Sequence, residues 1–287
     1  MKKWNLVIDV AKCFNCNCCT LACHDEYYDN EFPGYAAGMS KHGHKWIDVL
    51  QRETGTAPMV EISYLPVSCN HCDAPPCLEA ARDGAVVKRD DGIVIIHPEK
   101  ARGQKQIVDA CPYGAVSWNE EKQLPQAWPF DAHLLDQGWK KTRGSQVCPT
   151  QAMRTLCVDD EEMKRIAQSE GLEVLHPEFG TRPRVYYRNL RKFQNVFIGG
   201  AVAGEKAGLI ECIDNAQVAL KKGGRTFLET RTDTFGEFKC EGIEPDSGAY
   251  TVIVSSADFD LLSIDVEVRR ESIFLGSIQL DRPRQGV

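Results

Sequence analysis

Cys13, Cys16, Cys19 and Cys23 follow one another as C-x2-C-x2-C-x3-C, and no other feature constrains this chain so tightly. Three thiolates at two-residue intervals converge only if the backbone between them folds into a tight loop. Such a loop grips three corners of a [4Fe–4S] cube, while the fourth cysteine, at the start of the following helix, points toward a different cube. A second set, Cys69, Cys72 and Cys77, is followed much later by Cys111-Pro112, a cysteine–proline pair of the kind that ends such a run.

Thirteen cysteines would suggest disulfides in a small secreted protein. Here ten of them lie in the first 148 residues, in C-x2-C groups. The start, Met1 to Val10, has two lysines and a short apolar stretch broken by Asp9. It carries neither an h-region nor a twin-arginine pair, so it reads as a first strand rather than a signal. Thiolates held by metal are the better reading, and the cytoplasm is the expected location. A net charge of −7 argues against nucleic acid or an anionic membrane surface as partner. No apolar run approaches the length of a membrane span.

Residues 1–190 form the cysteine-bearing region, and short strands flank its loops. Ala85 to Lys88 and Gly92 to Ile96 read as a β-hairpin with Asp91-Gly92 near its turn. Asp159 to Glu162 lead a helix over Met163 to Glu170 that stops at Gly171, with acids at its positive end. In 191–287 the composition changes to seven short β-rich runs, from Val196–Val202 and Ala216–Lys221 through to Ile273–Leu280. Turn residues such as Gly223-Gly224 separate them, as in an all-β sandwich. The stretch Thr232 to Phe238, followed by Gly248 to Val252, resembles transthyretin-like or collagen-adhesin B-type sandwiches. The expected fold class is thus α+β: a ferredoxin-like 4Fe–4S region followed by a transthyretin-like or Ig-like sandwich. The sandwich carries no catalytic cluster and reads as a docking or spacer domain.

Missing cysteines are as informative as present ones. The segment Pro98 to Gly114 has the form of a ferredoxin motif stripped of ligands: positions 101, 104 and 107 are Ala, Gln and Ile, and only Cys111 remains. The second motif would place its fourth cysteine at 81, which is Ala81. In paired motifs the fourth cysteine of each completes the other's cluster. Losing 81, 101, 104 and 107 therefore deletes one entire cluster, and keeping Cys69, Cys72, Cys77 and Cys111 keeps one. By the same logic Cys148, in Cys148-Pro149-Thr150-Gln151-Ala152, completes the cluster begun by Cys13, Cys16 and Cys19. The C-x2-C that should precede it reads Trp128-Pro129-Phe130-Asp131. Cys23 is then left with no cluster to join. Two [4Fe–4S] clusters are expected; a third built on Cys23 and Asp131 is the alternative, with only two plausible ligands.

Cys18 interrupts the first motif and reads as a buried small side chain pointing away from the cube. Cys157, Cys212 and Cys240 are isolated and read as structural. His24, His71 and His133 lie near the motifs, where they could hydrogen-bond cluster sulfurs or pack at a partner surface. No Ser/His/Asp set, phosphate-binding glycine loop or open His/carboxylate metal site stands out. The chain is therefore expected to be non-catalytic alone.

The four motif positions resemble those of the iron–sulfur β subunits of the dimethyl-sulfoxide-reductase family of molybdopterin enzymes. The resemblance is closer to one branch, the small subunits of pyrogallol–phloroglucinol transhydroxylase and the resorcinol hydroxylases. It is carried by the long insert 24–68 with Phe32-Pro33-Gly34-Tyr35, by Cys111-Pro112-Tyr113-Gly114, by Ala132-His133-Leu134-Leu135-Asp136, by Pro183-Arg184-Val185-Tyr186-Tyr187 and by the terminal sandwich. It implies a partner-docking segment at 155–190 and an αβ heterodimer with a large catalytic subunit. Molybdopterin guanine dinucleotide with molybdenum is expected in that subunit, not in this chain. It also implies electron relay for hydroxylation or transhydroxylation of polyhydroxybenzenes. The chain departs at Trp128 and Asp131, where the transhydroxylase small subunit keeps cysteines and holds three clusters.

Two other classes remain open. An electron carrier for a sulfur, selenium or arsenic oxyanion reductase would use the same motifs. A structural zinc module would also use C-x2-C pairs, and a colourless rather than brown protein would identify it.

Overall fold

The computed structural model describes residues 1–282. By internal contacts the chain forms two units: Met1–Gln51 with Ser63–Leu190, and Arg52–Ile62 with the chain from Arg191 onward.

In the first unit the strand Lys3–Asp9 is central. It pairs antiparallel with Met153–Val158 and parallel with Val185–Arg188. Leu6, Val7 and Ile8 are all buried, which is why this strand reads as a continuous apolar run rather than an alternation. It ends at Asp9, whose Oδ1 accepts from the Ala11 amide at 3.1 Å and from Asn189 Nδ2 at 2.7 Å. That carboxylate caps the 3-10 turn Val10–Lys12, which delivers Cys13. The Asp9 amide donates to Ala152 O at 2.7 Å, so the segment after Cys148 lies against the same end of the sheet.

The helix Cys18–Tyr27 leaves the first cysteine loop and packs against the helix Arg143–Val147. Around the second loop sit three short helices, Pro76–Ala80, Pro98–Ala101 and Gln106–Asp109. The expected hairpin forms between Val86–Lys88 and Val94–Ile96. The expected acid-led helix begins three residues early, at Asp160, because Asp159 caps it by accepting from the Glu162 amide at 2.8 Å; Gly171, with φ +61°, ends it.

The insert holds a feature that its sequence did not announce, a long hairpin of Ile47–Thr56 and Met59–Ser68. Its tip belongs to the second unit. There Arg52 donates to Phe193 O at 2.6 Å and Asn195 O at 3.1 Å, and Thr54 Oγ1 meets Ser272 Oγ at 2.6 Å.

The second unit is an all-β sandwich. One sheet centres on Val196–Lys206, which pairs parallel with Ile273–Leu280. Its two halves pair antiparallel with Glu237–Ile243 and Leu209–Cys212. The other sheet runs Arg225–Arg231, Gln217–Lys222, Gly248–Ser256, Phe259–Val268. Val218 and Leu220 on one strand, and Tyr250, Val252 and Val254 on the next, alternate into the shared core. Leu209–Cys212 is a strand beyond the seven expected; all four of its residues are exposed, so no inward-facing periodicity marked it. No helix among the described residues is long and apolar enough to cross a membrane.

Candidate metal centres

The eight cysteines expected as ligands gather into two sets of four. Cys13, Cys16, Cys19 and Cys148 line one cavity, with Phe14 and Pro66 among its other walls. The strand-end turn supplies Cys13, the first helix supplies Cys19, and the segment leading into Met153–Val158 supplies Cys148. Burial pushes the Cys19 thiol up to about 11, with Cys13 and Cys16 adding to it. Cys13 is raised by burial and then by Cys148 and Cys16. Cys148 Sγ accepts from the Ala152 amide at 3.2 Å and lies 3.7 Å from Thr150 Oγ1.

The second set is Cys69, Cys72, Cys77 and Cys111. Burial pushes Cys77 up to about 12, with Cys111 and Cys72 contributing. Cys69 rises with burial and with Cys77, Cys111 and Cys72 around it. The cysteines that raise Cys13, Cys19, Cys69, Cys72 and Cys77 belong in every case to the same set as the thiol they raise. Four thiols that each raise their neighbours are poor anions together, and a cationic core between them reverses that cost. The donor set therefore fits an iron–sulfur cube. Among the described residues no three His, Cys, Asp or Glu side chains converge closely enough to hold a single ion.

The backbone preserves all four C-x2-C loops, including those without cysteines. The third residue of each is left-handed: Asn15 (φ +61°) in 13–16, His71 (+45°) in 69–72, Gly103 (+78°) in 101–104 and Phe130 (+59°) in 128–131. The turns after Cys111-Pro112 and Cys148-Pro149 match as well, with Gly114 at +63° and Gln151 at +54°. A bulky Phe in this region is uncommon, so the surroundings hold that loop in the shape of its ligand-bearing counterparts.

The vacated places are filled in two different ways. Ala101 and Ile107 are buried in one apolar cluster, against which Ala81 and Cys111 pack. Gln104 seals its rim, accepting from the Arg82 amide at 2.9 Å and donating to Lys100 O at 2.8 Å. The other place is polar. Asp131, 1% exposed, accepts from Trp128 Nε1 and Tyr27 OH on Oδ1, both at 2.9 Å, and from the Arg143 amide on Oδ2 at 2.7 Å. Cys23 is buried beside it, its thiol pushed well up by burial and then by Asp131. Gly144, not singled out from the sequence, completes this quartet. Its C-x3-C-like spacing before Cys148 matches Cys19 to Cys23, and an added Cβ would meet Cys19 Cβ and Met153 Sδ at 3.5 Å. A carboxylate saturated with donors and an indole occupy the space, so these residues do not fit a third cluster.

His71 is buried, and its Nδ1 accepts from the Val94 amide at 3.1 Å. The proton therefore sits on Nε2, which has no protein partner among the described residues. An orphaned N–H inside the Cys69–Cys72 loop is what a sulfur-rich group there would accept from. His133 instead pairs with Glu26 Oε1 at 2.8 Å, and His24 stacks on Tyr28. Cys18 departs from expectation: it is partly exposed, and the neighbouring Cys16 thiol raises it. Cys240 is buried in the sandwich core, whereas Cys212 is exposed at the end of the strand Leu209–Cys212.

Residues 60–157 match the family model of the 4Fe–4S dicluster domain. The chain is 42% identical to the pyrogallol hydroxytransferase small subunit of Pelobacter acidigallici, over 98% of this chain and 100% of that one. It is 32% identical to a tetrathionate reductase subunit of Salmonella typhimurium, over 66% of this chain and 73% of that protein. The arsenate respiratory reductase iron–sulfur subunit of Shewanella sp. strain ANA-3 is also 32% identical, over 46% of this chain and 52% of that one.

Proposed function

The chain belongs to the iron–sulfur subunits of molybdopterin oxidoreductases, and from that premise we propose that its two cysteine quartets hold two [4Fe–4S] clusters. Cys13, Cys16, Cys19 and Cys148 hold the first, and Cys69, Cys72, Cys77 and Cys111 the second. The observation that carries this reading is the segregation of eight thiols into two sets beside two vacated loops of the same shape.

A bound [4Fe–4S] cluster supplies reversible one-electron carriage. The residues around it bind, shield and bias. Cys19, Cys72 and Cys77 are at most 9% exposed, which keeps water from three of the eight ligand sulfurs. Pro112 and Pro149 stiffen the chain directly after two ligands. The Ala152 amide at Cys148 stabilises negative charge on that sulfur.

The electrons pass to or from a large partner subunit carrying molybdenum on molybdopterin guanine dinucleotide, in an αβ heterodimer. With that partner the protein hydroxylates or transhydroxylates polyhydroxybenzenes of the resorcinol or pyrogallol type. Near-complete coverage by the pyrogallol hydroxytransferase subunit favours this over oxyanion reduction, where the relatives match only part of the chain. The five cysteines that neither cluster uses are unpaired, which favours a reducing compartment, the cytoplasm. The test is to purify the complex anaerobically, count its paramagnetic centres and compare turnover of pyrogallol and resorcinol with that of arsenate and tetrathionate. Turnover of the oxyanions alone would overturn the assignment.

A further inference from the structure

The polar vacancy lies between the two occupied quartets. On one side, a Cβ added at Gly144 would meet Cys19 Cβ at 3.5 Å, and Cys23 follows Cys19 by one helical turn. On the other, the Trp128 ring meets His71, inside the Cys69–Cys72 loop, edge to face at 5.7 Å. The apolar vacancy adjoins the second quartet instead, with Ala101 and Ile107 in one buried cluster with Cys77. Small and aliphatic side chains fill that one. The vacancy between the quartets is filled by a hydrogen-bonded, aromatic chain.

The chain is continuous. From Cys19 the helix Cys18–Tyr27 carries Cys23 and Tyr27 at successive turns, all three at most 8% exposed. Tyr27 OH donates to Asp131 Oδ1 at 2.9 Å, and the Arg143 amide, next to Gly144, donates to Oδ2 at 2.7 Å. Trp128 Nε1 donates to the same Oδ1 at 2.9 Å. The indole stacks on Phe130, centroids 4.9 Å apart, and Phe130 meets His71 edge to face at 5.0 Å. Trp128, Phe130, Asp131 and His71 are each at most 1% exposed, so solvent does not interrupt the passage. Electron tunnelling falls off exponentially with distance. It falls least steeply along covalent bonds, hydrogen bonds and close ring contacts, and most steeply across gaps between saturated groups.

We propose that Asp131 and Trp128 form the bridge by which an electron crosses between the two clusters, in the place where the loop pattern expects a third. The inference rests on the two-cluster reading above. An electron leaves the cluster of one quartet, oxidising it, and arrives at that of the other, reducing it. No bond forms or breaks, no proton moves, and the bridge ends unchanged. A plug that only filled space would need neither an indole N–H aimed at a buried carboxylate nor rings packed onto His71.

The test is flash photoreduction of the anaerobically purified complex by a deazaflavin with a sacrificial amine donor. Freeze-quenched EPR then follows how the electron redistributes between the two signals, which Cys148→Ser and Cys111→Ser identify. Trp128→Phe keeps a ring against His71 but loses the bond to Asp131, and should slow redistribution several-fold. Trp128→Leu loses both and should slow it further. Midpoints and iron content should match the unaltered protein in each. Ile107→Val, at the apolar vacancy, should leave the rate unmoved. An unchanged rate in the Trp128 variants, or an equal slowing in Ile107→Val, would overturn the bridge alone. Should Trp128→Leu fail to retain iron, the rate in Trp128→Phe decides. If neither cysteine change removed a signal, the ligand assignment would fall and the bridge with it.

Discussion

Phe130 and His71 occupy the same position in two copies of one loop, both left-handed, and their rings meet edge to face with centroids 5.0 Å apart. One loop kept its cysteines and the other lost them. Trp128 extends the contact, stacking on Phe130 at 4.9 Å and meeting His71 at 5.7 Å. The Trp128 indole thus stands at a position where the loop pattern expects a ligand of a further cluster, against His71 of the loop that carries Cys69 and Cys72.

The two quartets should fail independently. Cys148→Ser should remove or alter one paramagnetic centre and Cys111→Ser the other, each leaving its counterpart's midpoint and intensity unchanged, as read by low-temperature EPR. Loss of both signals from either single change would contradict the grouping seen in the mutual influence of the thiols.

Cysteines restored at the polar vacancy should rebuild a cluster. In the triple variant Trp128→Cys, Asp131→Cys, Gly144→Cys, Cys23 gains three partners on a backbone that already has the loop shape. Iron content attributable to this chain should rise from roughly eight to roughly twelve. Asp131→Ala alone should instead destabilise by about 3 kcal/mol or more in thermal melts. It strands three buried donors, Trp128 Nε1, Tyr27 OH and the Arg143 amide.

His71 should make the protein acid-sensitive well above the carboxylate range. Burial, reinforced by Lys88, pushes its ring down to about 3. The unfolded chain takes up that proton near pH 6.5, so the contribution is complete above about 6.5 and drains away as pH falls toward about 3. His71→Asn keeps an acceptor for the Val94 amide and tolerates the left-handed backbone. It should cost roughly 1–3 kcal/mol at neutral pH through lost packing while flattening the stability–pH curve in that window. Chemical denaturation at a series of pH values reads both effects.

Arg184→Lys should loosen the second centre without touching the first. The guanidinium is 2% exposed and reaches Asp73, Asp160 at 3.0 Å and Asn5 at 3.2 Å. A lysine keeps the charge but not the fork. Breaking a buried pair costs about 3–5 kcal/mol, and partial exposure of Asp73 and Asp160 places this change toward or below the lower end. The Cys111-dependent signal should decline faster than the Cys148-dependent one on mild heating.

How the chain reads from its residues depends on the range of the interaction. Cys13 to Cys23, the Val86–Ile96 hairpin and the helix ending at Gly171 were legible because each is dictated by neighbours a few positions apart: thiol spacing, a turn, a cap. The seven sandwich strands were legible by alternation, whereas Leu209–Cys212 was not, since a strand exposed along its whole length has no buried face to betray it. The insert's hairpin tip escaped for a related reason, because its partners Phe193, Asn195 and Ser272 lie far away in the chain.

The sequence by itself determined how many thiols there are and which absent ones belong together, because cluster ligation is a rule about spacing. Only the tertiary structure decided what fills each vacancy and where the His71 proton resides. Those outcomes depend on segments brought side by side by burial and hydrogen bonding, and no local spacing encodes which distant group will arrive there.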